Sequence, residues 1–270
     1  KYYNLIQNLS SKDYNVFPKG KVLIYSEYRE LGVNLIGKIL EKYNYKSIIS
    51  LLPNINKYFD NNIITDKTRK LLIKDLQEIS PKYKIFGIYN SNTENKFLKQ
   101  NRLLHEIYDL EENDYGNMMR ILFITKSGSE GLSFKSIRQI HIMEPFWHIT
   151  RKRQVIGRGI RYGSHLRLKK NEQNVQVYNY IAKFDSNIKI SDNIQKYDNN
   201  LTSDEYIYKL ANKKQILIDK LYNIFKTVSI DCPFNLNENI NCINFPLNNI
   251  ESDSIYNMFS LITNQYKQIY

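Results

Sequence analysis

The chain has 270 residues, of which 42% are hydrophobic and 24% charged, and its formal net charge is +12. A chain of this length and composition can bury a sizeable core, which excludes a solitary miniprotein and allows one large domain or one domain with an appendage. No apolar run approaches the ~18 residues of a membrane span, so we expect a soluble globular protein without a membrane partner.

The start of the chain and its cysteines indicate the cellular setting. The chain begins at Lys1 without a signal-peptide pattern, and we interpret it as an internal or processed piece of a longer chain. Cys232 and Cys242 have no nearby histidine and no second cysteine pair, so they predict neither a disulfide framework nor a zinc site. We therefore expect a reducing, intracellular compartment.

Positive charge is concentrated between residues 120 and 170, where twelve Lys and Arg stand against two Glu and give a net charge of +10. Seven of the ten arginines of the chain lie in this segment, although Lys is the commoner cation elsewhere. Because Arg suits bidentate contacts with phosphate, the segment indicates a polyanionic partner. A solvated basic face is the alternative.

The first half of the chain alternates short apolar runs with helical patterns. We predict strands at 21–25, 48–52 and 84–89, and helices at 31–43, 66–79 and 93–110. Residues from about 53 to 80 have no place in this alternation. We interpret them as an insertion.

The second half predicts strands at 120–125, 139–143 and 175–182, and a helix that begins after Pro145 and passes through Gln154 and Arg161. Strands that alternate with helices of ten or more residues predict an α/β fold, in which a parallel sheet has helices on both faces. We assign this domain to residues 1–185. Residues 186–270 are predicted to be a linker and a helical C-terminal extension, in which a long helix opens at Ser203.

One segment imitates a phosphate-binding loop. Residues 32–38 read GxxxxGK after a strand, but Ile39 stands where Ser or Thr would bind magnesium, and the residues between the glycines are bulky and helical in pattern. We expect Gly37 to be a helix packing position and Lys38 a surface lysine. Since the chain offers no other such loop, we expect it to hydrolyse no ATP by itself.

Two other segments carry candidate chemistry. The strand near 121–125 ends in SGSEGLSF at 127–134, where glycines let backbone amides approach an anion; an ordinary turn is the alternative. In QVIGRGIR at 154–161, Gln154, Arg158 and Arg161 are spaced i, i+4 and i+7, which places them on one face of a helix. Two guanidinium groups there can neutralise a transferring phosphoryl group. Gly157 and Gly159 each cost a helix roughly 1 kcal/mol relative to Ala, which a plain surface helix has no reason to contain.

These segments resemble motifs of the superfamily-two helicases. QxxGRxxR at 154–161 resembles motif VI, SGSEGLSF at 127–134 resembles motif V, and the strand at 21–26 resembles motif IV. The segment QIHIMEPFW at 139–147 is similar to the Swi/Snf-like helicases of large nucleocytoplasmic DNA viruses, including those of poxviruses. The similarity covers most of residues 17–235, and it is poor at 53–80 and after 235.

The resemblance implies a RecA-like fold, the second motor domain of a two-domain ATP-driven machine. The phosphate loop and the magnesium ligands would lie on the first domain. By motif position, Arg158 and Arg161 would contact the β and γ phosphates, and Gln154 would couple the nucleotide to domain closure. Motif VI usually has a second cation after its Gln, and because this chain has Val155 there, we expect no such contact.

Motif V implies two further sets of contacts. Glu130 and Gly131 would lie near the nucleotide, where the two motor domains meet. Ser127 and Gly128, together with Lys126, would contact the nucleic-acid backbone.

We therefore expect the C-terminal motor half of a nucleic-acid-dependent ATPase, of helicase or translocase type, that acts in viral transcription or DNA metabolism. The expected cofactor is ATP with Mg²⁺. The expected partners are nucleic acid, DNA rather than RNA, the N-terminal RecA-like domain and a transcription complex, and the expected location is the host cytoplasm or the virion. The alternative is a non-enzymatic transcription or packaging factor that keeps the fold as a nucleic-acid clamp.

Overall fold

A parallel sheet of six strands is the centre of the computed structural model, which describes residues 1–89, 95–126, 132–185 and 201–229. The strands are β1 (Lys21–Tyr25), β2 (Tyr45–Ser47), β3 (Lys84–Ile88), β4 (Ile121–Ile124), β5 (Ile137–Ile142) and β6 (Gln176–Asn179). They lie in the order β2-β3-β4-β1-β5-β6, and each neighbouring pair is parallel. The chain must therefore cross over β1 on its way from β4 to β5.

The described residues contain seven α-helices. They are α1 (Tyr2–Ser10), α2 (Leu35–Glu41), α3 (Ile48–Leu51), α4 (Asp66–Ile79), α5 (Asn95–Asp109), α6 (Ile149–Gly159) and α7 (Ser203–Val228). A π-helix, Arg29–Asn34, leads directly into α2, and short 3₁₀ turns lie at Ile55–Tyr58, Glu111–Asn113 and Lys170–Glu172.

Helices cover both faces of the sheet. Val22 and Ile24 of β1 pack in one cluster with buried residues of α1 and α2, whereas Leu23 and Tyr25 pack in another with α4, α5 and α6. Successive side chains of a strand point to opposite faces, so a strand buried on both faces is a continuous apolar run. The predicted fold class, a RecA-like parallel sheet with helices on both faces and a helical C-terminal extension, is confirmed.

One predicted strand is wrong. Residues 48–52 were expected to pair in the sheet, but 48–51 form α3 and the strand is Tyr45–Ser47. Ile48 and Leu52 are buried in the cluster that contains α4 and α5. Their apolar pattern therefore serves packing between helices, and the sheet uses only three residues at this edge.

The long helix α7 begins at Ser203, as predicted. Thr202, the residue before it, caps the helix. Its hydroxyl accepts a hydrogen bond from the Glu205 backbone N–H at 3.2 Å, and the Glu205 carboxylate accepts one from the Thr202 N–H at 3.1 Å. This reciprocal capping box fixes where the helix begins.

The chain separates into two compact units, Lys1–Gln215 and Ile216–Tyr270. The boundary near 185 and the insertion at 53–80 stay predictions, and Cys232 and Cys242 lie outside the described residues. In the described part of the chain, every helix is too short or too polar to cross a membrane.

A buried histidine holds β5 and β6 to α1. The Gln139 side-chain amide donates to the Pro18 carbonyl at 2.6 Å, so its oxygen is free to accept from Nε2 of His141 at 2.9 Å. Nδ1 of His141 then accepts from the Tyr180 hydroxyl at 2.8 Å, which in turn accepts from Asn8. Burial lowers the pKa of His141 to about 3, with a smaller contribution from nearby positive charge, so the ring is neutral at ordinary pH.

A buried lysine lies at the first position of β1. The ammonium group of Lys21 donates to the Tyr108 carbonyl at 2.7 Å and lies 3.7 Å from the Asp114 carboxylate, and its side chain is fully buried. Burial lowers the pKa of Lys21 to about 8, although Asp109 and Asp114 oppose that shift. Below about pH 8 the buried ammonium group is charged, and its burial lowers the free energy of unfolding.

We predict that Lys21→Met removes a pH dependence of stability. Because the pKa of Lys21 falls from 10.5 in the unfolded chain to about 8 in the folded one, the folded state releases its proton first as pH rises. The free energy of unfolding of the unmodified chain should therefore gain about 2 kcal/mol over the variant between about pH 8 and about pH 10. Denaturant titrations across this range measure the gain. Parallel stability curves for the two proteins would contradict the burial of a charged lysine.

Candidate functional site

Arg158 and Arg161 both bind the segment 132–134, which is the end of the candidate loop at 127–134. Nη1 of Arg158 donates to the Leu132 carbonyl at 3.2 Å, and the backbone carbonyl of Arg158 accepts from the Phe134 N–H at 2.9 Å. Nη1 of Arg161 donates to the Ser133 hydroxyl. The two predicted arginines thus meet beside the residues that leave the motif V loop.

Arg161 reaches this position from a turn. The sequence predicted a helix that continues through Arg161, but α6 ends at Gly159, and Ile160 has a non-helical backbone with φ −121° and ψ 86°. Nε of Arg161 folds back to the Gly157 carbonyl at 3.3 Å. The expected single helical face therefore holds for Gln154 and Arg158 and is wrong for Arg161.

The turn after α6 is fixed by two side chains that the sequence analysis did not single out. The Ser164 hydroxyl accepts from the Arg161 N–H at 3.2 Å and lies 2.8 Å from Nδ1 of His165. Nε2 of His165 donates to the Ile137 carbonyl at 2.7 Å. These bonds tie the turn to the start of β5, so Arg161 is positioned by the sheet.

The local charge of the arginine pair favours an anion. Among the described residues, no carboxylate lies within 4.0 Å of either guanidinium group. Arg161 is exposed, and the buried Nε of Arg158 has no hydrogen-bond partner in the described part of the chain. Two guanidinium groups that bind neutral oxygens keep their charge for an external anion such as phosphate.

The two glycines of α6 have different surroundings, which explain them differently. A Cβ on Gly159 would lie 3.1 Å from Ile140 and 3.2 Å from Ile137, so this glycine lets the helix pack against β5. A Cβ on Gly157 would meet nothing within 4 Å. Helix packing therefore explains Gly159, while Gly157 leaves an open space beside the Arg161 side chain that bonds its carbonyl.

The remaining predicted site residues are only partly described. Gln154 is exposed on α6, one helical turn before Arg158, and Lys126 is exposed just after β4. Ser127, Gly128, Glu130 and Gly131 lie outside the described residues. Their assignments stay predictions.

Many arginines of the basic segment serve the fold itself. Arg120 donates to the Leu9 carbonyl, Arg138 to Asn174, and Arg167 binds Asp114 at 2.9 Å. Arg151 lies 3.5 Å from Glu27. The net charge of +10 includes these four arginines, which bind groups within the protein. The basic segment therefore offers fewer phosphate contacts than its charge suggests.

The start of α6 is anchored to the end of β1. The Tyr25 hydroxyl donates to Glu27 at 2.6 Å, and Arg151 binds both groups while it packs over the Phe146 ring at 4.6 Å. Glu144 accepts from the Glu27 N–H at 3.0 Å, and burial raises the pKa of Glu144. These contacts join the loops that follow β1 and β5.

The GxxxxGK segment is helical. Residues 32–34 lie in the π-helix and 35–38 in α2. A Cβ on Gly37 would lie 3.3 Å from both Ile88 and Phe86, which confirms its expected packing role. In the described ranges, no cluster of three metal-binding side chains is present.

Comparisons with known proteins identify viral relatives. No family model matches the chain. A termination factor NPH-I homolog of African swine fever virus is 31% identical over 222 residues, which are 80% of this chain and 31% of the relative. Two proteins of Acanthamoeba polyphaga mimivirus are named as ATP-dependent RNA helicases. One, L538, is 48% identical over 73 residues (27% of this chain, 16% of the relative), and the other, R563, is 26% identical over 164 residues (60% and 23%).

The helicase names among these relatives agree with the resemblance of the chain to the superfamily-two helicases. The chain spans less than a third of the length of each of these three relatives. Among solved structures, the C-terminal part of the Fun30 ATPase domain has a TM-score of 0.40 and 13% identity, and the match covers 82% of this chain and 54% of that one.

The sequence predicted the two arginines but not the residues that hold them. Ser133 lies in the segment that resembles motif V, whereas Ser164 and His165 lie just after the segment that resembles motif VI. The only sequence signal for these three residues was the wider resemblance to the helicases, because single Ser and His positions form no periodic pattern. Their roles come from contacts between α6 and the start of β5.

We predict opposite outcomes for the two glycines of α6. Gly157→Ala should raise the free energy of unfolding by up to about 1 kcal/mol, because alanine favours helix and the space is open. Gly159→Ala should bring no gain, because its methyl group would press on Ile137 and Ile140. Denaturant titrations of the two variants test this. If Gly157→Ala were the less stable of the two, its surroundings would not be open.

Proposed function

We propose that this chain is the second motor domain of a nucleic-acid-dependent ATPase and that Arg158 and Arg161 are its arginine fingers. The observation that carries the proposal is their convergence on Leu132 and Ser133 with no described carboxylate in ion-pair range. The names of the viral relatives, a termination factor homolog and ATP-dependent RNA helicases, support the class of activity.

ATP is the ligand that fits the arginine pair. When bound, ATP supplies a transferable γ-phosphoryl group, whose charge spreads over its oxygens during transfer. The guanidinium groups of Arg158 and Arg161 offer planar, charged donors to such oxygens, and Gly157 leaves room beside them. We assign Mg²⁺ binding to the first motor domain, and Gln154 and the undescribed Glu130 and Gly131 to the nucleotide side of this one.

The same segment connects this site to the nucleic-acid track. Ser127 and Gly128, which we propose contact the backbone of the track together with Lys126, lie just before the residues that Arg158 and Arg161 bind. A change in the nucleotide bound by Arg158 and Arg161 would therefore be transmitted to the nucleic-acid contacts through a few residues of the same segment. We propose that this short path couples hydrolysis to movement along one strand, in viral transcription within the host cytoplasm or virion.

The identity of the track stays a prediction. We expected DNA rather than RNA, whereas the mimivirus relatives carry RNA helicase in their names. Parallel titrations with a DNA strand and an RNA strand of the same sequence decide between them.

We predict that the 270-residue chain binds single strands weakly, with little sequence preference and with steep salt dependence. Four of the twelve cations of the basic segment are engaged inside the domain, and we expect roughly three to five of the other eight to contact phosphates. Affinity should then fall roughly tenfold to a hundredfold between about 50 and about 200 mM salt. Fluorescence anisotropy with a labelled oligonucleotide measures it. An affinity that does not change with salt would rule out the basic segment as the contact surface.

We predict that Arg158→Ala or Arg161→Ala, in the longer protein with both motor domains, lowers ATP turnover by about a thousandfold or more, the scale of an arginine finger. Nucleotide affinity should change much less. Arg161→Lys should restore little, because a point charge on a flexible stem cannot replace the planar fork. Steady-state hydrolysis with and without a single strand measures these effects.

Lys170→Ala is the matched control. Lys170 is exposed in the 3₁₀ turn Lys170–Glu172, away from the arginine pair in the sequence, so its loss should alter only the salt dependence of turnover. Circular dichroism confirms that each variant is folded. If Arg161→Ala kept near-normal turnover while Lys170→Ala lost it, the finger assignment would be wrong.

A further inference from the structure

An open cleft lies between the predicted insertion, α5 and the end of motif V. Its volume is about 480 Å³, within the range of roughly 300 to 1,000 Å³ that is usual for ligand sites. Two aromatic side chains and several aliphatic ones line it beside a guanidinium, an imidazole and two amides. The lining residues that carry the argument are Phe59, Ile63, Tyr89, Leu98, Arg102 and Leu132.

The wall from the insertion is a preformed tight turn. Asp60 and Ile63 exchange two backbone hydrogen bonds, of 2.8 and 2.9 Å, and Asn61 and Asn62 between them have φ values of 48° and 65°. Left-handed backbone at both central residues is the signature of a two-residue hairpin loop, and Asn tolerates it well. The turn holds Ile63 at the cleft with its side chain 64% exposed.

This turn is fastened to α5 by a cation. Nη1 of Arg102 donates to the Asn62 carbonyl at 3.0 Å, and no carboxylate of the described residues lies in ion-pair range of Arg102. Nearby, the Lys99 ammonium lies 5.9 Å from the centre of the Phe59 ring. The acidic residue of the lining, Glu106, is engaged by Arg69 at 2.5 Å. The cleft therefore combines apolar faces with a positive charge that lacks a described counter-ion.

We propose that this cleft receives a base of the single-stranded track. A nucleotide joins a flat apolar base to an anionic phosphate, and proteins bind single strands with aromatic platforms beside cations. Phe59 and Tyr89 offer the base its apolar surroundings, and Arg102 lies where a phosphate can bind. The proposal deepens the proposed function and rests on it, since it gives the insertion the task of holding the nucleic acid beside motif V.

The cleft is joined directly to the arginine pair. Leu132 lines the cleft, and its carbonyl accepts the hydrogen bond of Arg158. The adjacent Ser133 accepts from His105, another lining residue, at 3.3 Å through its carbonyl and from Arg161 through its hydroxyl. Two successive residues thus contact the base cleft on one side and the phosphate-binding arginines on the other.

The test compares a labelled oligothymidylate with the same strand in which abasic residues replace the bases. Both strands carry the same phosphates, so their difference in affinity for the 270-residue chain reports base contacts. We expect the normal strand to bind about tenfold more tightly, as expected when a base stacks in a protein site. Leu98→Ala, which removes an apolar contact with the base, should reduce this ratio by about threefold or more. Arg102→Gln, which removes a phosphate contact, should weaken both strands by a similar factor and leave the ratio unchanged.

Matched controls separate the cleft from general effects. Lys70→Gln removes a charge from the exposed side of α4, and Leu31→Ala removes an apolar side chain that is 72% exposed elsewhere. Both should leave the ratio at its normal value. A variant with a photoreactive benzoylphenylalanine in place of Ile63 should crosslink to the normal strand and much less to the abasic one.

Each outcome bears on one of the two proposals. If both strands bind the unmodified chain equally, if Leu98→Ala keeps the full ratio, or if Arg102→Gln weakens binding no more than Lys70→Gln does, the base cleft is wrong while salt-dependent binding still upholds the proposed function. If neither strand binds at any salt concentration, the proposed function fails and the cleft with it. A reduced ratio in Leu98→Ala, together with weaker binding of both strands by Arg102→Gln, supports both.

Discussion

Arg158 holds α6 to the chain that crosses from β4 to β5 through both its backbone and its side chain. Its carbonyl accepts from Phe134, and its guanidinium donates to Leu132. The helix, the crossing segment and the turn with Arg161 therefore form one mechanical unit. A phosphate oxygen is a stronger partner for a guanidinium than a neutral carbonyl is, so an anion at this site would compete for the bond that holds Leu132. Arg158 thus stabilises the fold, and its hydrogen bond to Leu132 would change if an anion bound.

Much of the fold could be predicted because its strands are buried on both faces. The bounds of Lys21–Tyr25 and Asp66–Ile79 agree with the sequence prediction to the residue. The apolar run at 48–52 failed because a strand and a short buried helix look alike over five residues. Helix α1 was not predicted, although Leu5, Ile6 and Leu9 are buried and recur at helical spacing. Such local patterns show that a segment is buried. Whether it forms a helix or a strand depends on neighbours that are distant in the sequence.

The site was predictable in its chemistry and less so in its geometry. The spacing of Gln154 and Arg158 fits the helix, but the place of Arg161 depends on Ser164 and His165, which bind across to the start of β5. Periodicity contains no information about such contacts. The charge cluster misled in a similar way, because a sequence cannot distinguish an arginine that faces solvent from one that binds Asp114. The sequence thus indicated that arginines suited to phosphate are present. The tertiary contacts decide which of them remain free to bind one.

The position of β1 has a consequence for how the chain is made. Val22 pairs with Ile121 on one side and with Gln139 on the other, roughly a hundred residues later in synthesis. At about 5 to 20 residues per second, the ribosome leaves this apolar strand without either partner for roughly 5 to 20 seconds. During that time both of its edges can pair with other nascent chains. Slow translation or crowded polysomes should therefore favour aggregation of this protein, and a chaperone that covers residues near 21–25 should relieve it.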